Sequence, residues 1–171
     1  MPEIQCISFA NKPSLRRRGC SCPCPTKRVL FLISLFGNAY SADHVVKMLN
    51  NGDDGMFVFD PPALKIKVGD TVTWDGDPFH NSASIKRMMP DGAKPWNGKL
   101  TKKKGETSIT VKFDVEGVYG YKCTPHAMLG MIGLIAVGDS LPNLKAAKEA
   151  TQTIAGGKAR FKKYFSLIES K

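Results

Sequence analysis

The chain has 171 residues, 42% of them hydrophobic, and a formal charge of +10 at pH 7. The length gives room for one domain with a real core, and the ordinary apolar share sets the chain apart from disordered polypeptides. The charge is high enough that its distribution along the chain has to be accounted for.

Residues 1–41 stand apart from the rest of the chain. Thr26-Lys27-Arg28 is a basic flank, Val29 to Phe36 is an apolar run, and Ala39-Tyr40-Ser41 is a small-x-small cleavage site. That order is the signature of a secretory signal peptide. The apolar run falls short of the roughly 20 residues that a membrane-spanning helix needs. Residues 1–41 are therefore expected to be a cleaved leader, with the mature chain starting at Ala42. Upstream, Arg16-Arg17-Arg18 and the cysteines Cys20, Cys22 and Cys24 invite a metal-site or twin-arginine export reading. No histidine or carboxylate accompanies those cysteines, and an overlong basic region or an early start codon accounts for the segment more simply.

Removing the leader changes two quantities. It carries six of the 25 Lys and Arg residues and one of the 15 acidic ones, so the remainder has 19 basic and 14 acidic residues and a net charge of +5. It also carries Cys6, Cys20, Cys22 and Cys24, leaving Cys123 as the one cysteine of the mature chain. An exported domain with one cysteine forms no internal disulfide, so the thiol needs another explanation.

From Val45 onward, short β-branched and aromatic segments alternate with turn signals. Val45 to Asn50, Met56 to Asp60, Leu64 to Val68, Thr71 to Trp74, Phe79 to Ile85, Ser108 to Phe113, Val118 to Lys122 and Ile132 to Val137 read as strands. In Ser108 to Phe113 the alternation puts Ile109, Val111 and Phe113 on a core face and Ser108, Thr110 and Lys112 in water. Seven or eight such strands predict an all-β sandwich rather than a βαβ sheet. The methionines Met48, Met56, Met88, Met89 and Met128 read as core fillers, and His44 as an exposed residue with no role. After Val137 the pattern changes. Leu141 to Ile154 and Lys158 to Ile168 predict two short helices broken at Gly156-Gly157. Phe161, Tyr164, Phe165 and Ile168 form an apolar stripe that closes over the sandwich, in preference to a membrane surface.

Within Cys123 to Met131 the sequence gathers one thiol, one imidazole (His126) and two thioethers. A loop between two strands can aim Cys123, His126 and Met131 at a common centre, and His80 can join from a neighbouring strand. Two imidazoles, a thiolate and a thioether suit copper, in the His₂Cys set with a long axial Met used for electron transfer.

The strings Met48-Leu49-Asn50, Gly69-Asp70-Thr71-Val72, His80-Asn81, Pro90-Asp91-Gly92-Ala93, Gly117-Val118-Tyr119, Lys122-Cys123-Thr124-Pro125-His126 and Gly130-Met131 occur in order. In them the chain resembles the pseudoazurins, a family of periplasmic cupredoxins, over most of its mature length. The resemblance implies a Greek-key cupredoxin β-sandwich over 42–140, two C-terminal helices over 141–171, and one type 1 copper cycling one electron. It implies His80, Cys123, His126 and Met131 as ligands, with Met131 rather than Met128 selected because the family's thioether is the fifth residue after the loop histidine. It further implies that Asn81 bonds across to the Cys123 loop and that Pro125 shields His126 from water. Phe57 stands where the family usually has Met, and two readings are open for its ring: packing on His126, where it would tune the potential, or ordinary core packing.

An apolar port around His126, formed by Pro125, Ala127, Met128 and Leu129, would be rimmed by Lys122, Lys86, Arg87, Lys94 and Lys99 for an acidic redox partner. The family's partners are a copper nitrite reductase or a c-type cytochrome. The expected protein is a periplasmic monomer, free of the membrane once the leader is cleaved, and not an enzyme, since no general acid or nucleophile stands out. A copper carrier that delivers metal with the same ligands is the alternative. Nucleic-acid binding through Lys102-Lys103-Lys104 lacks an aromatic stacking platform.

Overall fold

The computed structural model describes residues 41–103, 105–154 and 156–170, so all of the expected leader except Ser41 lies outside it. Eight strands form two four-stranded sheets. In the first, β1 (Asp43–Gly52) pairs antiparallel with β2 (Gly55–Asp60) and parallel with β4 (Thr71–Gly76), and β4 pairs antiparallel with β6 (Ile109–Lys112). In the second, β8 (Ile132–Val137) lies between β3 (Ala63–Ile66), parallel to it, and β7 (Gly117–Lys122), antiparallel to it; β5 (Ala83–Ser84) completes the edge. Helices α1 (Leu144–Ala150) and α2 (Lys158–Glu169) come after the last strand.

Strand parity explains where the core sits. Val46 and Met48 of β1, Phe59 of β2, Val72 and Trp74 of β4, and Phe113 point inward from the first sheet. Tyr119 and Tyr121 of β7 and Ile135 and Val137 of β8 meet them from the second. The alternate residues of the second sheet, Val118, Ile132, Leu134 and Ala136, form a separate cluster with Phe161, Tyr164, Phe165 and Ile168 of α2. The helical stripe thus covers the outer face of that sheet, as its spacing predicts.

Several expectations need correction. Phe79 to Ile85 is not a strand: it is a loop that pairs only at Ala83 and Ser84, and a 3₁₀ turn follows at Lys86–Met88. The first helix is shorter than Leu141 to Ile154, starting after Pro142 and tightening into a 3₁₀ turn at Thr151–Thr153. Met48 and Met88 are buried, but Met56 is 61% and Met128 68% exposed, so neither fills the core. His44 is half-buried, and its Nε2 lies 3.1 Å from Oδ2 of the buried Asp70.

Candidate metal centre

The two sulfur-bearing residues reach the same place by parity. Tyr119, Tyr121 and Cys123 are successive inward positions, and Met131 and Ile135 share the inward parity of β8. The ladder ends at Lys122 opposite Ile132, and one step further the Cys123 N–H donates to the Met131 carbonyl at 3.0 Å. Met131 N–H in turn donates to His126 O at 3.1 Å, and Leu129 N–H donates to the same carbonyl at 3.0 Å. Gly130, at φ 88°, supplies the left-handed turn that this short loop needs.

His80 arrives from the loop after β4. Its Nδ1 lies 3.7 Å from Cys123 Sγ and 3.0 Å from His126 Nδ1, and His126 Nδ1 lies 3.5 Å from Sγ. These three donor atoms are within 4.8 Å of one another, with Cys123 and His80 buried and His126 half-buried. The donors suit a small, soft cation: one sulfur and two ring nitrogens facing a common point.

A chain of hydrogen bonds explains which nitrogen of His80 faces inward. The backbone N–H and Nδ2 of Asn50 both donate to Asp77 Oδ2, at 3.1 and 3.0 Å. That turns Asn50 Oδ1 toward His80 Nε2, 3.1 Å away. Nε2 must then carry the proton, leaving the Nδ1 lone pair free to bind metal. Sequence reasoning missed Asn50 and Asp77. Asn50 lies thirty residues from His80, and no local spacing signals the pair.

Asn81 ties the two halves together. Its Oδ1 accepts from Thr124 N–H at 2.8 Å, while its Nδ2 donates to Thr124 Oγ1 at 3.1 Å and to Gly98 O at 3.0 Å. Phe57 lies flat on His126, ring centroids 4.2 Å apart and planes 5° from parallel, and meets His80 edge-on at 5.9 Å. At φ 52° it holds a left-handed conformation that a bulky side chain rarely adopts. Pro125 is exposed on the loop just ahead of His126.

Electrostatics favours neutral imidazoles. Burial, then the neighbouring His126, holds the His80 pKa below its ordinary value, with Asp77 opposing, and burial lowers that of His126. Burial pushes the Cys123 thiol up, opposed by the backbone N–H groups of Asn81 and His126. The site thus presents two ready lone pairs and a thiol that a bound cation would deprotonate.

Outside this cluster Phe79, Met128 and Leu129 are 54%, 68% and 60% exposed, whereas Ala127 is buried and drops out of the expected port. Lys86, Arg87, Lys94 and Lys99 are exposed and Lys122 half-buried, and among the described residues none of the five is in an ion pair.

A buried His₂Cys cluster at one end of a two-sheet sandwich defines a cupredoxin-type copper protein. Residues 46–138 match the model of the copper binding proteins, plastocyanin/azurin family. The chain is 49% identical over 110 residues to a pseudoazurin of Methylorubrum extorquens, covering 63% of this chain and 71% of that one. It is 38% identical over 120 residues to a pseudoazurin of Paracoccus pantotrophus, covering 70% and 79%. The solved pseudoazurin of Methylobacterium extorquens AM1 superposes with a TM-score of 0.64 at 40% identity, covering 74% of this chain and 99% of that one. The chain belongs to the plastocyanin/azurin family of copper-binding proteins and, within it, to the pseudoazurins. This is a family of electron-transfer proteins, and its cofactor is copper.

Proposed function

We propose that this protein is a periplasmic one-electron carrier, exported by a leader of residues 1–41 and acting as a monomer, with domain 42–140 holding a single type 1 copper and residues 141–171 bracing it. His80, Cys123 and His126 would hold the copper as its strong ligands, with Met131 as a weaker fourth. The observation that carries this reading is the convergence of three donor atoms within 4.8 Å at a buried point. When bound, the copper supplies a one-electron couple. The protein's residues keep the ligands from moving: Asn50 and Asp77 orient His80, Asn81 straps the Cys123 loop, and Phe57 lies on His126. Ligands held before the electron arrives have little reorganising to do, which lowers the barrier to transfer.

His126 is the half-buried member of the set and sits in the loop that exposes Pro125, Met128 and Leu129, which makes it the port for electrons. Lys86, Arg87, Lys94, Lys99 and Lys122, none of them in an ion pair among the described residues, steer an acidic partner toward it, such as a copper nitrite reductase or a c-type cytochrome. Cys123, the one thiol among the described residues, serves as a ligand, and the role is transport and not catalysis. Nucleic acid and membrane are not among its partners.

The test is a visible and EPR spectrum of residues 42–171 with one equivalent of Cu(II), beside Cys123→Ser. An intense thiolate-to-copper band, bleached and restored through redox cycles without loss of metal and absent in the variant, is the expected result. A weak tetragonal spectrum indifferent to Cys123, or metal lost on each cycle, would replace electron carriage by copper delivery.

A further inference from the structure

Arg160, in the first turn of α2, has no carboxylate partner among the described residues. Its guanidinium is spent on four backbone carbonyls. Nη1 donates to Phe57 O at 3.0 Å and to Gly130 O at 2.8 Å; Nη2 donates to Asp54 O at 2.8 Å and to Met56 O at 3.1 Å. The two acceptors of Nη1 belong to segments remote in sequence, and each holds one part of the metal centre. Phe57 carries the ring stacked on His126, and the Gly130 carbonyl belongs to the peptide that leads into Met131.

The geometry assigns Arg160 as a positioning residue of the copper site: one nitrogen of a distant helix fixes the Phe57 ring on His126 and the peptide that sets Met131. This rests on the ligand set proposed above and adds a role at the site for the C-terminal helix, which also covers the second sheet. Two local features require such a clamp. Phe57 sits at φ 52°, a conformation that persists where its surroundings hold it. Gly130 sits at φ 88°, and a Cβ there would lie 3.4 Å from Nη1 and 3.5 Å from Cδ of Arg160, so the side chain packs directly over the turn. Only a planar fork can serve four carbonyls from two nitrogens; a lysine ammonium, with its donors on a single atom, cannot span them. Lys163 and Tyr164 bind the Asp54 carboxylate from the same helix face, so the β1–β2 hairpin has a second tether that does not touch the site.

The experiment compares Arg160→Lys and Arg160→Met with Lys163→Met and Phe57→Met, using two readouts. The first is the ring-current shift of the His126 ring protons in the copper-free protein, with Phe57→Met setting the full loss of the ring. The second is the EPR rhombicity and the ratio of the thiolate-to-copper bands in the copper protein. Both Arg160 variants are expected to lose a large part of the His126 shift and to alter the copper spectrum. Lys163→Met is expected to lower the melting temperature and leave both signals in place. If Arg160→Met does not fold, Arg160→Lys, which keeps the charge and the aliphatic stem, decides. Folded Arg160 variants with the wild-type ring shift and spectrum overturn the assignment, as does a Lys163→Met protein that reproduces their changes. Should the wild type show no thiolate-to-copper band, the copper reading fails by itself, and the His126 shift still tests the clamp.

Discussion

In the first sheet β1, β4 and β6 keep one side wetter than the other. Val46 and Met48 of β1 are buried while Val45 and Lys47 are exposed, and β4 and β6 also set their better-buried residues two apart. In the second sheet β8 is buried at all six positions and β7 at its first five. The aromatic core lies against one face of those strands; on the other, α2 packs on β8, while α1 and the Lys86–Met88 turn pack on β7. The strands held on both sides are the two that flank the Cys123 to Met131 loop. The strands that lead into the two sulfurs are therefore packed on both faces, and such packing would hold the proposed ligands in place for the proposed electron carrier.

The sharpest way to break this contrast is to hollow out the second layer. Phe161→Ala removes a buried ring from the helix side of β8 and is expected to cost about 3–5 kcal/mol, read as a shift in denaturation midpoint at unchanged slope. A loss within about 0.5 kcal/mol, no larger than a surface substitution gives, would mean that the helices only decorate the sandwich.

A smaller effect is expected at the start of β4, the end of that strand remote from the His80 loop. The buried Asp70 carboxylate accepts from Ala42 N–H at 2.8 Å and Lys67 N–H at 2.9 Å, and contacts His44. The Ala42 bond is the main cause that holds its pKa below the ordinary 3.8. A depressed carboxylate stabilises the fold fully above its unfolded pKa and loses that contribution as pH falls through the folded value. Asp70→Asn is expected to cost about 1–3 kcal/mol at pH 7. It should also flatten the stability profile below about pH 4, the unfolded carboxylate range. An Asp70→Asn variant whose acid unfolding matches the parent would remove Asp70 from the account.

The smallest effect belongs to the wet face of the first sheet. Val45→Thr, at a position 51% exposed, is expected to stay within about 0.5 kcal/mol of the parent in the same denaturant titration. A cost comparable to that of Phe161→Ala would show that this face is covered in solution.

The alternation in Ser108 to Phe113 predicts β6 and its wet side correctly, because a half-buried strand writes its two environments into every second residue. Phe79 to Ile85 defeats the same reasoning. It is β-rich in composition, but Phe79 takes φ 66° and His80 turns inward, so the segment is shaped by the site and not by a ladder. Met56 and Met128 mislead for a related reason: thioethers suit cores and contact surfaces alike, and their composition carries no direction.

The donor types were legible in the sequence, since Cys123, His126 and Met131 lie within nine residues and strand parity dictates which of them point inward. The sequence also carried the helical stripe of α2, because covering a sheet requires apolar residues at helical spacing. Only the tertiary structure decided how the donors are held. The Asp77–Asn50–His80 chain and the Arg160 carbonyls join residues far apart along the chain, whereas the strap from Asn81 was expected from the family resemblance alone. Polar side chains that support a site need only reach it through space, so no periodicity or local spacing records them.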